Sequence, residues 1–494
     1  MQVNLVAAVE RESDARELQA LDPSTWLEVC GDDSVPPAES FRALFPGTLL
    51  FTLRSTENRG ALLREAAATY DLVELQLGDL DAETLAAIPA ERRVLSRTVD
   101  GDDDPRLEEL LATPARLYRV VFRPRGYADT LRPLRLLAAH GRRDLIAFAS
   151  GPLGTWTRVL APQLGAPFVF GKLRGDVADD GVPTLAQLRI DYGFPGFDAV
   201  DEIFGIAGDP VFSSLSPRLH NAAFRETGRR ALYVPFHVPN FDDFWTGLIG
   251  GAALDDLGLP IRAICVVSPY KQAALPSADM RTPMVERAQS TNFFVREGLG
   301  WTADTTDPAG VLLALNDRGI DVAGMPVAVV GCGGSGRAIA AALHQAGAAV
   351  TLVNRGLERA LLAVHLLRLP FVPLADFAPE RYGLVVNATP VGRNGDRLAA
   401  LDELRGDAVV IDLVYGARPT PLIAATRAKG QVTVDGKEIL MRQAMSQFRL
   451  MTGQDMPETL VRGILELPRE DAVMAAEGRH LAAEGRHVAV ERRH

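Results

Sequence analysis

The sequence predicts an α/β protein built from successive parallel βα units, and three observations carry that prediction. Over roughly the first 197 residues, short apolar runs alternate with Arg-, Ala- and Leu-rich helical patterns. A stretch with glycine, proline and aspartate, YGFPGFDAV (Tyr192 to Val200), then reads as a linker before a fresh strand, EIFGIAG. Further on, GMPVAVVGCGGSGRAIAAALHQAGAAVTLVNR joins a strand, a glycine turn, an alanine-rich helix and a second strand. Strands separated by amphipathic helices return to the same sheet in parallel.

Taken in order, LLFTLR, DLVELQL, RRVLS, LYRVVF, DLIAFAS and PFVFGK are the strands of the front unit, which reads equally as a (β/α) barrel or an open doubly wound sheet. The unit around Val311 to Lys429 comes after it. The last stretch is different: AAEGRH occurs at Ala475 to His480 and again at Ala482 to His487, and small and charged residues dominate, as in a mobile tail. Two histidines at that spacing read as an exposed repeat rather than a metal site.

With 494 residues, 47% apolar and 23% charged, the chain has the make-up of a globular protein of two to four domains. No run of eighteen apolar residues and no basic region ahead of an apolar one occurs, so neither a membrane span nor a signal peptide is expected. Cys30, Cys265 and Cys332 lie far apart, without metal-ligand spacing, which suits a reducing cytoplasm. A net charge of -11 and the lack of a basic, aromatic-interleaved stripe argue against nucleic-acid binding.

Gly331, Gly333 and Gly336 form G-x-G-x-x-G after an apolar strand and at the start of a helix, the context in which glycine lets backbone approach a pyrophosphate at a helix N-terminus. The next strand ends in Asn354 and Arg355, with no carboxylate at the strand end itself and Arg359 following. Guanidinium groups there suit a 2′-phosphate, so NADP is expected rather than NAD.

Of the 52 Lys and Arg residues, lysine supplies only Lys172, Lys271, Lys429 and Lys437. Arginine keeps its proton while lysine can be tuned to lose it, so each surviving lysine is a candidate for chemistry, with solvated surface charge as the alternative. Lys271 closes the turn of AICVVSPYK, just ahead of the dinucleotide motif. In the same stretch Ser214 and Ser216 offer donors for a carboxylate, and Asp307 offers a partner for an ammonium handling the proton of a carbinol. Sequence separation alone does not bring Lys271 and Asp307 together.

From about Ile203 to Gly453 the chain resembles shikimate dehydrogenases, in order and throughout. The matching motifs are GDPVFSSLSPRLHNAAF, VVSPYK, STNFF, ADTTD, GCGGSGRA, NR, VVNATPVG, DLVYGARPTPL and VDGKEILMRQAMSQF. The resemblance implies a substrate-binding domain at residues 203–310, completed by 432–465, around a Rossmann NADP domain at 311–431. It implies Lys271 and Asp307 as catalytic residues and Ser214, Ser216, Asn292, Tyr415 and Gln443 as substrate contacts. For the cofactor it implies Gly331, Gly333, Gly334, Gly336, Asn354, Arg355, Arg359, Asn387 and Thr389. The implied reaction is the NADP-linked interconversion of 3-dehydroshikimate and shikimate. Three positions depart from the family pattern: Val267 for a threonine that reaches a ring hydroxyl, Thr305 for an asparagine, and Arg393 for a methionine. Quinate is therefore kept as a related substrate.

The front half, residues 1–197, resembles type I 3-dehydroquinate dehydratase, a (β/α) barrel, joined in the order of plant-type fusions. LFTLRSTENRG, YDLVELQL and FASGPLGTWTRVLAPQLGAPFVFG carry the likeness, with Arg54, Glu74 and Arg158 retained. That enzyme forms an imine through a lysine, and Arg119 stands at its position. Thr98 stands where the family has its histidine, the stretch Glu28 to Asp32 lacks an arginine, and Val182 replaces the lid glutamine. The expectation is an inactive barrel, with Lys172 at the end of FVFGK as the one relocated amine to consider.

Overall fold

The computed structural model describes residues 3–9, 15–55, 57–196 and 198–468. Of the tail expected at residues 466–494, all from residue 469 on, its repeats included, lies outside the described residues. The chain separates into two compact units, Met1–Ala273 and Ala274–His494.

In the first unit, eight parallel strands succeed one another in barrel order: β1 (Asn4–Val9), β2 (Trp26–Gly31), β3 (Leu49–Leu53), β4 (Leu72–Gln76), β5 (Arg93–Asp100), β6 (Leu117–Arg123), β7 (Leu145–Ala149) and β8 (Phe168–Lys172). Each pairs with its sequence neighbour up to β7, and β1 also pairs with β8, Val6 opposite Phe170. No ladder among the described residues joins β7 to β8. The choice between barrel and open sheet thus falls to a barrel with one unladdered seam. Val6, Trp26, Leu50, Leu72, Val94, Leu117, Ile146 and Phe168, one from each strand, share a buried cluster with Phe148 and Phe170. The ring is a packed core rather than a pore, as in barrels of this size.

The same unit continues through β9 (Glu202–Gly208), β10 (Ala231–His237) and β11 (Ile261–Val266), with β9 paired in parallel to both others. Their near-continuous burial is what strands covered on both faces require.

The second unit begins with β12 (Met280–Arg281), β13 (Phe293–Glu297) and β14 (Gly300–Asp304); β14 lies antiparallel to β13 and parallel to β12. It then builds a six-stranded parallel sheet from β15 (Pro326–Val330), β16 (Ala349–Asn354), β17 (Phe371–Pro373), β18 (Leu384–Asn387), β19 (Val409–Asp412) and β20 (Thr433–Val434). The order β17-β16-β15-β18-β19-β20 reverses direction at β15. That reversal opens a crevice beyond the carboxyl ends of β15 and β18, where doubly wound sheets bind dinucleotides.

Candidate active site

The turn after β15 is shaped by two glycines. Gly331 has φ +109°, and a Cβ there would meet the Ala388 carbonyl at 2.9 Å. At Gly336 a Cβ would fall 1.8 Å from the Gly331 carbonyl, so only hydrogen fits. Gly333 and Gly334 stand at the N-terminus of the helix Gly334–Gln345, and nothing lies within 4 Å of a Cβ built on Gly333. Together they leave an open cradle at a helix start, the geometry that accepts a pyrophosphate.

Asn354, at the end of β16, turns its Oδ1 to the Cys332 N–H (3.1 Å) and its Nδ2 to the Gly356 carbonyl (2.7 Å), bracing the turn. Arg355 and Arg359 are exposed, and neither has an ion-pair or hydrogen-bond partner among the described residues. Two unneutralised guanidiniums at this strand end fit a 2′-phosphate. Asn387 and Thr389 serve the loop after β18: Asn387 Oδ1 accepts from the Thr389 N–H and hydroxyl, while its Nδ2 donates to Asp412 Oδ1 (2.9 Å).

Asp307, 2% exposed, opens the helix Asp307–Asn316. Its Oδ1 accepts from Asn292 Nδ2 at 2.9 Å and from Gln443 Nε2 at 3.0 Å. The Asn292 carbonyl oxygen, Oδ1, in turn accepts from the Thr306 N–H (2.8 Å), and Gln447 Nε2 reaches Thr306 Oγ1 (2.9 Å). Three residues anticipated from sequence, 15 and 136 positions apart, are thereby gathered on one carboxylate oxygen. The helix Gly436–Thr452, which carries Gln443 and Gln447, is fixed at its start by an Asp435–Glu438 capping box. Beside this cluster Thr305 is 9% exposed, and its hydroxyl has no hydrogen-bond partner among the described residues.

In the first unit, Ser214 Oγ accepts from the Ser216 N–H (3.2 Å) at the start of the helix Ser216–Glu226. Lys271 comes directly after the Val267–Tyr270 turn, closed by the Tyr270 N–H to the Val267 carbonyl at 3.0 Å. Gly208 makes room for this turn, since a Cβ there would meet Val267 Cγ2 at 2.2 Å. Val267 brings no hydroxyl to the turn.

Tyr415 lines a cavity of about 650 Å³ with Arg318, Arg427, Lys437 and Arg462. Those four cations are paired with Glu438, Asp435, Glu466 and Glu458. Arg337, 1% exposed, donates to the carbonyls of Ala288 (2.8 Å), Gln289 (2.9 Å) and Cys332 (3.1 Å), tying the segment before Asn292 to the glycine turn. Burial lowers its pKa. Sequence reading passed over Arg337 and Asp412; a charged residue inside a run of buried alanines was the available signal for the first. Burial holds the Asp412 carboxyl above its ordinary range, while Thr420 and the Val414 N–H donate to it.

The barrel centre is different. Glu28 on β2, Glu74 on β4, Arg119 on β6 and Phe170 on β8 meet in one interior layer drawn from alternate strands, as barrel interiors are built. Arg119 donates to Glu28 Oε1 at 2.6 Å and to Glu74 Oε2, and its guanidinium lies 4.8 Å from the Phe170 ring centre. The Thr52 hydroxyl sits 3.0 Å from each carboxylate. Burial opposes ionisation of this group, yet Arg119 and its hydrogen bonds hold the Glu74 carboxyl below its ordinary range. Cys30 is pushed up to about 12 by burial and by Glu28, so its thiol stays protonated. Arg158, 6% exposed, stacks 3.9 Å above Phe148, and burial lowers it to about 10. Lys172 donates to Asp180 Oδ1 (2.8 Å) and the Asp176 carbonyl (2.7 Å).

Comparison with known proteins joins these halves to families. The type I 3-dehydroquinase family model matches residues 42–196, and the shikimate dehydrogenase substrate binding domain matches residues 206–294. The shikimate dehydrogenase (NADP(+)) of Halorubrum lacusprofundi is 35% identical over 294 residues, covering 54% of this chain and 100% of that protein. This chain belongs to the shikimate dehydrogenase family. The bifunctional 3-dehydroquinate dehydratase/shikimate dehydrogenase of Arabidopsis thaliana, a chloroplastic protein, is similar across both halves: 28% identity over 436 residues, 81% of this chain and 70% of that one. The crystal structure of Aquifex aeolicus shikimate dehydrogenase matches with a TM-score of 0.50 at 28% identity, over 55% of this chain and 99% of that one. The motif order thus led to the right family for the rear half and to a dehydroquinase-type barrel for the front.

Proposed function

We propose that the chain is an NADP-dependent shikimate dehydrogenase interconverting 3-dehydroshikimate and shikimate in a reducing cytoplasm, and that its barrel no longer dehydrates 3-dehydroquinate. Residues 203–310 with 432–465 bind the ring acid, 311–431 bind the dinucleotide, and 1–197 form the barrel. The observation carrying the reading is the convergence of Asn292 and Gln443 on Asp307, the family's substrate and catalytic positions. When bound, the nicotinamide cofactor takes or supplies the hydride. In the oxidative direction Lys271 takes the proton of the reacting hydroxyl, and Asp307 holds and polarises that group. Ser214 and Ser216 receive the ring carboxylate, and Tyr415 completes the substrate contacts. The glycine cradle and the pair Arg355 and Arg359 hold the phosphates.

For the barrel, the support is that Arg119 occupies the imine position and arginine does not release its proton. Lys172 is committed to Asp180, and the barrel's His140 is exposed at a helix end. A hydroxyl left facing Val267 would cost about 1–3 kcal/mol of binding, which weakens shikimate turnover and keeps quinate as a related substrate. Purified protein oxidising shikimate or quinate with NADP, and remaining unmodified by borohydride in the presence of 3-dehydroquinate, is the expected result. No NADP-linked oxidation of either acid would end the first proposal, and a reduced adduct on Lys172 the second.

A further inference from the structure

The barrel and the lysine-bearing turn hold the same two-residue piece of backbone. The phenol of Tyr127, four residues past the end of β6, donates to the His237 carbonyl at the end of β10. The phenol of Tyr270, immediately before Lys271, donates to the next carbonyl, that of Val238, at 2.7 Å. Tyr127 is fully buried, and its own N–H donates to Asp243 Oδ2 at 3.0 Å. Gly126 is glycine because a Cβ there would meet the Asp243 carboxylate at 2.9 Å. Around these bonds runs a chain of ring contacts: Trp156 to Phe236 (5.6 Å between centres), Phe236 to Phe244 (5.4 Å), Tyr127 to Phe244 (4.9 Å) and Phe241 to Tyr270 (5.5 Å). Aromatic packing of this kind is stiff, since each ring has few rotamers to lose.

We propose that Tyr127 is a positioning residue for Lys271: by pinning the His237 carbonyl it fixes the segment on which Tyr270 anchors the lysine turn. This rests on the reading of Lys271 as the proton-handling amine. It gives the barrel a task in the dehydrogenase reaction that needs no turnover of its own. Burial and the nearby Asp243 and Tyr270 raise the Tyr127 phenol well above its ordinary value, so it remains a donor across the working pH range. A turn released from one of two anchors samples geometries away from the reacting oxygen, and small misplacements are costly in rate.

The test compares Tyr127→Phe with Tyr70→Phe. Tyr70 is an equally buried phenol donating to the Pro36 carbonyl (2.8 Å) inside the barrel, so both variants lose one buried hydrogen bond and a similar amount of melting temperature. Expected for Tyr127→Phe is a fall in kcat for shikimate oxidation of about tenfold, a shift in the pH profile of kcat, and an unchanged KM for NADP. Tyr70→Phe leaves kcat and its pH profile as in the parent. Gly126→Ala, which displaces Asp243, falls between the two. Combining Tyr127→Phe with Tyr270→Phe is less than additive, because both act on one segment. Equal kinetics for Tyr127→Phe and Tyr70→Phe, or additive losses in the double variant, overturn the inference. Lys271→Ala separates it from the reading beneath: retained turnover there refutes the role of the lysine itself.

Discussion

Two buried polar clusters of this chain are held together in different ways. In the barrel, Arg119 neutralises Glu28 and Glu74 directly, and Lys172 is committed to Asp180. In the dehydrogenase half, Asp307 is oriented by neutral amides, and Arg355 and Arg359 stand unneutralised at the strand end. Arg119 serves two carboxylates with one guanidinium, whereas two side-chain amides converge on a single oxygen of Asp307.

The sharpest way to break this contrast is Asp307→Asn, which keeps the shape and removes the charge. Its kcat for shikimate oxidation should fall about 10²–10⁴-fold with the fold intact, as read by steady-state kinetics and circular dichroism. Next in size is Arg119→Ala, which strands two buried carboxylates and should lower unfolding free energy by about 3–5 kcal/mol, measured in urea. Because Glu74 is held below its ordinary value of 4.5, its share of stability is complete above that value. It is lost as pH falls through the folded-state pKa. Acid titration of the unfolding midpoint should therefore be steeper for the parent than for Arg119→Ala. Arg355→Ala combined with Arg359→Ala should raise KM for NADP about tenfold or more, each charged hydrogen bond contributing about 1.5–3 kcal/mol at most, with KM for NAD little changed. Smallest is Val267→Thr, expected to improve shikimate KM about fivefold through one hydrogen bond of about 1 kcal/mol, with less change for quinate.

Legibility in the sequence tracked the same physics. Six barrel strands were visible as apolar runs, because strands buried on both faces need continuous hydrophobicity. β1 and β2 were not read as strands, and in β2 the reason is plain: WLEVCG carries Glu28, an inward-facing charge whose partners lie on other strands. Periodicity registers burial but not pairing, so Glu28, Glu74 and Arg119 were reached through the resemblance alone and their joining in one layer gave no signal. The glycine cradle was legible since its constraint is local, a turn plus a helix start. The Asp307 cluster was reached through resemblance, as Gln443 lies 136 positions away. Tyr127 left no trace, for its role exists only where barrel and strand β10 meet.

The missing ladder between β7 and β8 bears on whether barrel and dehydrogenase can be parted. Between those two strands runs the helix Gly151–Leu160, whose Trp156 is seated on Phe236 of β10. Severing the chain in the Tyr192–Val200 linker and discarding the rear portion would strip this helix of its outer support, beside two strand edges that no ladder among the described residues joins. The cut would also bare Phe236 on the other side, so neither fragment would keep the packing it has in the fused chain. Truncation is therefore a poor way to isolate the dehydrogenase, and single substitutions within the whole chain are the cleaner instrument.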